Sequence, residues 1–98
     1  MENKNKLFFT LGLGQKAGKV ISGDFAVTEA LKKGKVKLLI VAQDASERSK
    51  SKLVHYCEEH RVRILEAATR RELGWAIGKA ERTAIAVLDE NFVRMLEK

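Results

Sequence analysis

Leu38-Leu39-Ile40-Val41-Ala42 is an unbroken apolar run of strand length, and Gln43 and Asp44-Ala45-Ser46 follow it directly. A strand with one wet face alternates apolar and polar residues, whereas an uninterrupted run suits a strand covered on both faces. Covering both faces takes helices above and below a sheet, so this stretch points to an α/β chain built in layers. The residues just beyond the run agree: Asp44-Ala45-Ser46 offers caps for a helix over about 47–60, with Leu53, Val54 and Cys57 on its buried side.

Upstream of the run, Ser22-Gly23-Asp24 opens a helix over 24–33 whose Val27, Ala30 and Leu31 face inward, and Gly34 stops it. Lys19-Val20-Ile21 is a brief extended stretch. Leu7, Phe8, Leu11 and Gly14 fall at helical spacing in a first helix over 4–14 that ends near its glycines. Downstream, Val62-Arg63-Ile64-Leu65 reads as a second strand. Thr69-Arg70-Arg71-Glu72 reads as a capping box, which starts a helix at about 70–77. Thr83-Ala84-Ile85-Ala86-Val87-Leu88 is another buried strand, and Asp89 caps a last helix through Phe92, Val93 and Leu96. The alternation predicts a single-domain, three-layer α/β/α sandwich over residues 1–98.

Composition narrows the function. With 45% hydrophobic residues among 98, the chain can build a core, so disorder of the whole is not expected. No apolar run approaches the roughly 18 to 20 residues of a membrane span. The opening MENKNKLFF is charged with no long apolar region after it, so no secretory signal is expected. Cys57 is the only cysteine, which leaves no internal disulfide and no paired spacing for zinc, and a reducing cytoplasm fits. Lys plus Arg is 19 against 13 for Asp plus Glu, a net charge of +6 that favours a polyanionic partner, nucleic acid before membrane.

Catalytic patterns fail one by one. His55 and His60, five apart on the helix over 47–60, do not share a face, and no Asp/Glu/His set has ligand spacing, so neither metal nor cofactor is expected. Gly12-Leu13-Gly14 resembles a piece of a dinucleotide fingerprint but follows a helix instead of a strand. Gly14 to Val20 contains Gly-Lys without the Ser or Thr, or the preceding strand, of a P-loop. Cys57 reads as a core thiol; Trp75, in a short helix, reads either as a packing residue or as a surface stacking one, with packing favoured. No enzyme is expected.

Binding fares better. After the strands at 38–42 and 62–67 the chain turns directly into helices, and helix starts present free N–H groups and a positive dipole end. The helix opening at Ser22-Gly23 joins the same edge if the fold brings it there. Basic residues neighbour these starts in sequence: Lys16 and Lys19, Lys32 and Lys33, Arg70 and Arg71. That edge is the candidate polyanion site; ordinary capped helices with solvated charges are the alternative.

Four segments carry a family resemblance: Leu11-Gly12-Leu13-Gly14-Gln15-Lys16-Ala17-Gly18-Lys19-Val20-Ile21-Ser22-Gly23, then Lys37 to Ser46, then Arg71-Glu72-Leu73-Gly74-Trp75-Ala76-Ile77-Gly78-Lys79, then Ala84 to Phe92. In order and spacing they resemble the small bacterial YlxQ-type proteins of the L-seven-Ae and L-thirty-e superfamily of ribosomal proteins. The resemblance implies an L-thirty-e-like sandwich with a small mixed sheet that binds structured, kink-turn-like or ribosomal RNA; nothing in the sequence demands more than a monomer, and no protein partner is required. It also implies a two-part site. The first part, where the family has Gly-x-Asn-Glu followed three residues later by Lys, falls at Gly23-Asp24-Phe25-Ala26-Val27-Thr28-Glu29. The second, a short apolar stretch that packs on an extruded base, falls at Glu66-Ala67-Ala68-Thr69, before Arg70.

This chain departs from the pattern at three positions. Phe25 stands for Asn, Ala26 for Glu and Glu29 for Lys. A phenyl ring cannot hydrogen-bond a guanine edge; Phe25 either stacks on a base or packs into the core. Two functions follow: an RNA-binding module, or a protein-interaction scaffold that has lost kink-turn readout.

Overall fold

Four strands and five helices make up residues 4–97, which the computed structural model describes. The strands are β1 (Val20–Ser22), β2 (Leu38–Val41), β3 (Arg63–Glu66) and β4 (Ala84–Val87); the helices are α1 (Lys4–Lys16), α2 (Asp24–Lys32), α3 (Glu47–His60), α4 (Arg70–Ala76) and α5 (Glu90–Glu97). All residues of β2 and β4 are buried, as their uninterrupted apolar sequence demands. The two strands sit at the centre of a sheet of order β1-β4-β2-β3.

Direction decides what the sheet can do. β3 runs parallel to β2, with Leu38 opposite Arg63 and Val41 opposite Glu66. β4 runs antiparallel to both its neighbours, pairing Ser22 with Ile85 and Val41 with Ala84. β1, β2 and β3 therefore point the same way and end on one rim of the sheet, where β4 begins. Each of the three is followed by a helix, so α2, α3 and α4 all start at that rim.

The helices form two layers. α2 packs on α3 and covers β1 and β4, while α3 lies on β3; α1 packs on α4, α5 and β1 on the opposite face. Between them Leu31, Leu39, Ile40, Leu73, Ile85 and Val87 are fully buried. Each such side chain contributes about 1.5–3 kcal/mol through lost water contact. Cys57 lies in the same core, and burial pushes its thiol pKa up to about 11.

Three expectations need correction. α1 does not end near Gly12 and Gly14 but runs through them to Lys16. The two glycines serve close approach: a Cβ on Gly14 would stand 2.8 Å from Val20 Cγ1, and one on Gly12 would stand 3.2 Å from the Ala76 carbonyl. Val54 is not on the buried side of α3, because it lies a third of a turn from the Leu53–Cys57 stripe and points outward. Trp75 is not a packing residue either: it is 71% exposed and touches Phe8 edge-on, with ring centroids 5.8 Å apart. The expected ends of the other elements move by at most two residues; β3 starts at Arg63 because the Val62 amide is engaged by the Cys57 carbonyl.

Gly74 marks the tightest crossing. A Cβ there would come within 2.0 Å of the Ala80 carbonyl oxygen, backbone that cannot swing aside. Gly74→Ala should therefore destabilise the chain by about 3 kcal/mol, against about 1 kcal/mol or less for Gly12→Ala, read from urea midpoints. Cys57 should resist alkylation at pH 8 in the folded chain and react promptly in denaturant, so its labelling rate reports core opening.

Candidate functional site

The three helix starts on the rim are built differently. At α2 the turn out of β1 is made by Gly23, with φ 96° and ψ 137°, a conformation that a Cβ would strain. Gly23 carries no capping side chain, and the first intrahelical bond runs from the Val27 amide to the Gly23 carbonyl, 2.9 Å. The amides of Asp24, Phe25 and Ala26 thus lack helical partners, and all three residues are exposed.

The other two starts are closed by the chain itself. Ser46 caps α3, its Oγ accepting from the Ser49 amide at 3.1 Å. Thr69 and Glu72 form the expected capping box on α4: the Glu72 amide donates to Thr69 Oγ1 at 3.1 Å, and the Thr69 amide donates to Glu72 Oε1 at 3.0 Å. Arg70 then gives its amide to Asp44 Oδ1 at 2.8 Å, with its Nε 3.7 Å from Asp44 Oδ2. Asp44 therefore already places a carboxylate at the start of α4. Anion-binding capacity at the rim is concentrated at α2.

Arg82 joins the segments. Its Nε donates to Ser22 Oγ at 2.9 Å, its Nη1 to the Ala80 and Glu81 carbonyls, and its amide to the Arg70 carbonyl at 3.0 Å. One residue at the mouth of β4 thus ties the end of β1 to the start of α4. Beside it lies a cleft of about 260 Å³ lined by Gly23, Asp24, Val27, Leu53, Glu81, Arg82, Thr83 and Ala84. A second, of about 270 Å³, shares Asp24 and Leu53 and is lined further by Thr28, Arg48, Ser49 and Lys52. Sequence reading missed Arg48, Lys52 and Arg82. The four-residue spacing of Arg48 and Lys52 on one helix was a usable signal, whereas Arg82 acquires its place only through the strand order.

The rim gathers Gly23, Asp24, Phe25, Glu66, Thr69 and Arg70 but not every expected residue. Lys16 and Lys19 stand at the opposite end of the sheet, where the Lys19 carbonyl accepts from the Leu88 amide and its Nζ lies 3.8 Å from Asp89 Oδ2. Although near Gly23 in sequence, they are separated from it by the length of β1. Lys32 and Lys33 also lie far from the rim, at the closing end of α2. There Lys32 sits 3.9 Å from Glu29, which partly offsets that carboxylate, and 5.7 Å from the Tyr56 ring centroid. Ala67 and Ala68 are at the rim but buried, because the Ala67 amide donates to the Val41 carbonyl and the Ala68 carbonyl accepts from the Gln43 amide. They present no apolar surface to a base. Phe25, by contrast, is 80% exposed and not a core residue. Among the described residues no group of three His, Cys, Asp or Glu side chains could hold a metal ion, and no helix is long and apolar enough to cross a membrane.

Glu72 ties the site to pH. The Thr69 amide foremost, with Lys4 Nζ 3.3 Å away, holds its carboxyl below the usual carboxylate range, against a smaller opposing effect of desolvation. A depressed folded-state pKa contributes stability that is present above the unfolded value of about 4.3 and lost as pH falls through the folded one. The stability gap between the native chain and Glu72→Gln should be open at pH 7 and close as acid titrates Glu72, measured by urea unfolding at stepped pH. Thr69→Ala should cost about 1 kcal/mol at neutral pH.

Comparison with known proteins matches residues 5–96 to the profile described as the ribosomal protein L7Ae/L30e/S12e/Gadd45 family. The RNA-binding protein YlxQ of Bacillus subtilis (strain 168) is 34% identical over 89 residues, covering 91% of this chain and 89% of that one. The large ribosomal subunit protein eL30 of Neurospora crassa is 35% identical over 81 residues, covering 81% and 74%. A solved structure of a protein of unknown function from Bacillus halodurans C is 36% identical, covers 92% and 91%, and superposes with a TM-score of 0.86.

Proposed function

The chain belongs to the L7Ae/L30e/S12e/Gadd45 family, as a YlxQ-type, non-enzymatic member, and from that premise we propose that it binds structured RNA at the rim, favouring a kinked or looped element over a plain duplex. The observation that carries the proposal is the open start of α2, where uncapped amides and an exposed Phe25 stand beside the Arg82 joint. In this reading a phosphate accepts from the amides of Asp24 to Ala26, while Arg70 and Arg82 supply positive charge on one side and Arg48 and Lys52 on the other.

Phe25 takes over from the side chains that the family uses to read sheared G·A pairs. A ring stacked on an unpaired base contributes about 1–3 kcal/mol. Glu29, partly offset by Lys32, opposes the phosphates less than a bare carboxylate would. RNA is the ligand in this proposal because the chain's relatives include a protein named as RNA-binding and a ribosomal protein. The chain then works as a monomer in the cytoplasm, with no cofactor. The scaffold reading draws on the same exposed Phe25, in the position where the family has Asn, and predicts weak binding blind to RNA shape.

The test is a titration of a standard kink-turn RNA and a straight duplex of equal length at two salt concentrations. Tighter, more salt-resistant binding to the kink-turn is expected, and Phe25→Ala should weaken it about tenfold. Equal and equally salt-sensitive binding to both RNAs would leave only the scaffold reading.

A further inference from the structure

We propose that the rim extends into a track for unpaired nucleotides, running from Phe25 over Arg82, Arg70 and Arg71 to Trp75 on the opposite helix layer. The inference rests on the reading of the rim as an RNA site and adds the class of RNA that the far end takes.

Phe25 and Trp75 are the two most exposed large hydrophobic side chains of the described residues, at 80% and 71%. A Phe or Trp offers 150–250 Å² of apolar surface, and leaving two such rings in water forgoes a stabilisation that a bound partner restores. Trp75 is held in place without being covered: its contact with Phe8 is edge-on, at an interplanar angle of 78°. That fixes the ring and leaves it accessible, as a stacking platform requires.

Two hydrogen bonds, extended at each end by neighbours along the chain, bridge the ground between the rings. Ser22, next to Gly23, accepts from the Arg82 guanidinium, and the Arg82 amide donates to the Arg70 carbonyl. Arg71 follows Arg70, and Trp75 lies one turn beyond Arg71, on the same side of α4. The three arginines differ in their partners. Arg70 faces Asp44. Among the described residues the Arg82 guanidinium meets only neutral acceptors, the Ser22 hydroxyl and the carbonyls of Ala80 and Glu81. Arg71 is exposed, and no ion pair involves it among the described residues. The result is an aromatic ring at each end with three arginines between, two of which, Arg71 and Arg82, have no carboxylate partner among the described residues. This arrangement suits a nucleotide strand whose bases stack at the ends while its phosphates pass the arginines. A duplex keeps its base faces internal except at its two ends, so it cannot engage both rings along one strand.

Trp75 is the only tryptophan, so its emission reports directly on the far end. The full chain is titrated with an oligouridine of about eight nucleotides and, separately, with a blunt duplex of equal length and an acidic peptide. Kink-turn affinity is measured on the same samples. Oligouridine should quench Trp75, and neither the duplex nor the peptide should. Trp75→Leu should weaken oligouridine binding about tenfold by anisotropy while leaving kink-turn affinity unchanged, and Arg71→Glu should also weaken it. Oligouridine binding with unaltered Trp75 emission, equal oligouridine affinity in Trp75→Leu, or quenching by the acidic peptide instead would each overturn the track. Kink-turn preference in those same samples would show that the RNA reading stands without it.

Discussion

The antiparallel run of β4 between β1 and β2 is the constraint on which the rim depends. Because β4 opposes both neighbours, β1 and β2 must point the same way, and β3 joins them by pairing parallel to β2. Three strand ends and three helix starts then share one side of the sheet, and β4 enters there with Arg82 leading. A reversed β4 would deliver Arg82 to the other end and separate Ser22 from Arg70. The sheet's hydrogen bonding thus sets the rim through direction as much as through stability.

On that rim the chain spends polar contacts unevenly. Two helix starts are closed by Ser46, Thr69, Glu72 and Asp44, which satisfies amides that would otherwise destabilise the turns. The third is left to Gly23, whose backbone angles make the turn without a capping group. The contrast separates structural helix starts from one available to a ligand. The loop before α4 shows the same division: Ala67 and Ala68 pair with β2 and its following turn and disappear into the core, while Thr69 and Arg70 remain at the surface.

Much of the fold was legible in the sequence because its determinants are local. The apolar run 38–42, the Ser46 cap and the Thr69–Glu72 box each act within a few residues, and each forms as expected. Gly12 and Gly14 misled, because a glycine that ends a helix and one that admits a neighbouring backbone look alike in sequence. The site was legible only where it coincides with a helix start. Lys16 and Lys19 seemed to flank Gly23, yet the three residues of β1 span about 10 Å and carry them to the far end of the sheet. Arg82 gave no signal, since its partners are 60 and 12 residues away in sequence, at Ser22 and Arg70. Exposure of Phe25 and Trp75 was left undecided, because apolar periodicity does not reveal which rings a neighbouring layer fails to cover.

The most direct measurement is amide chemical-shift mapping of the full chain during titration with a kink-turn RNA. With the binding surface at the rim, the largest changes should fall at Asp24, Phe25, Arg70 and Arg82, with Lys16, Lys19, Lys32 and Lys33 little altered. Changes centred on those four lysines, with the start of α2 unmoved, would put the binding surface at the wrong end of the sheet and contradict that placement.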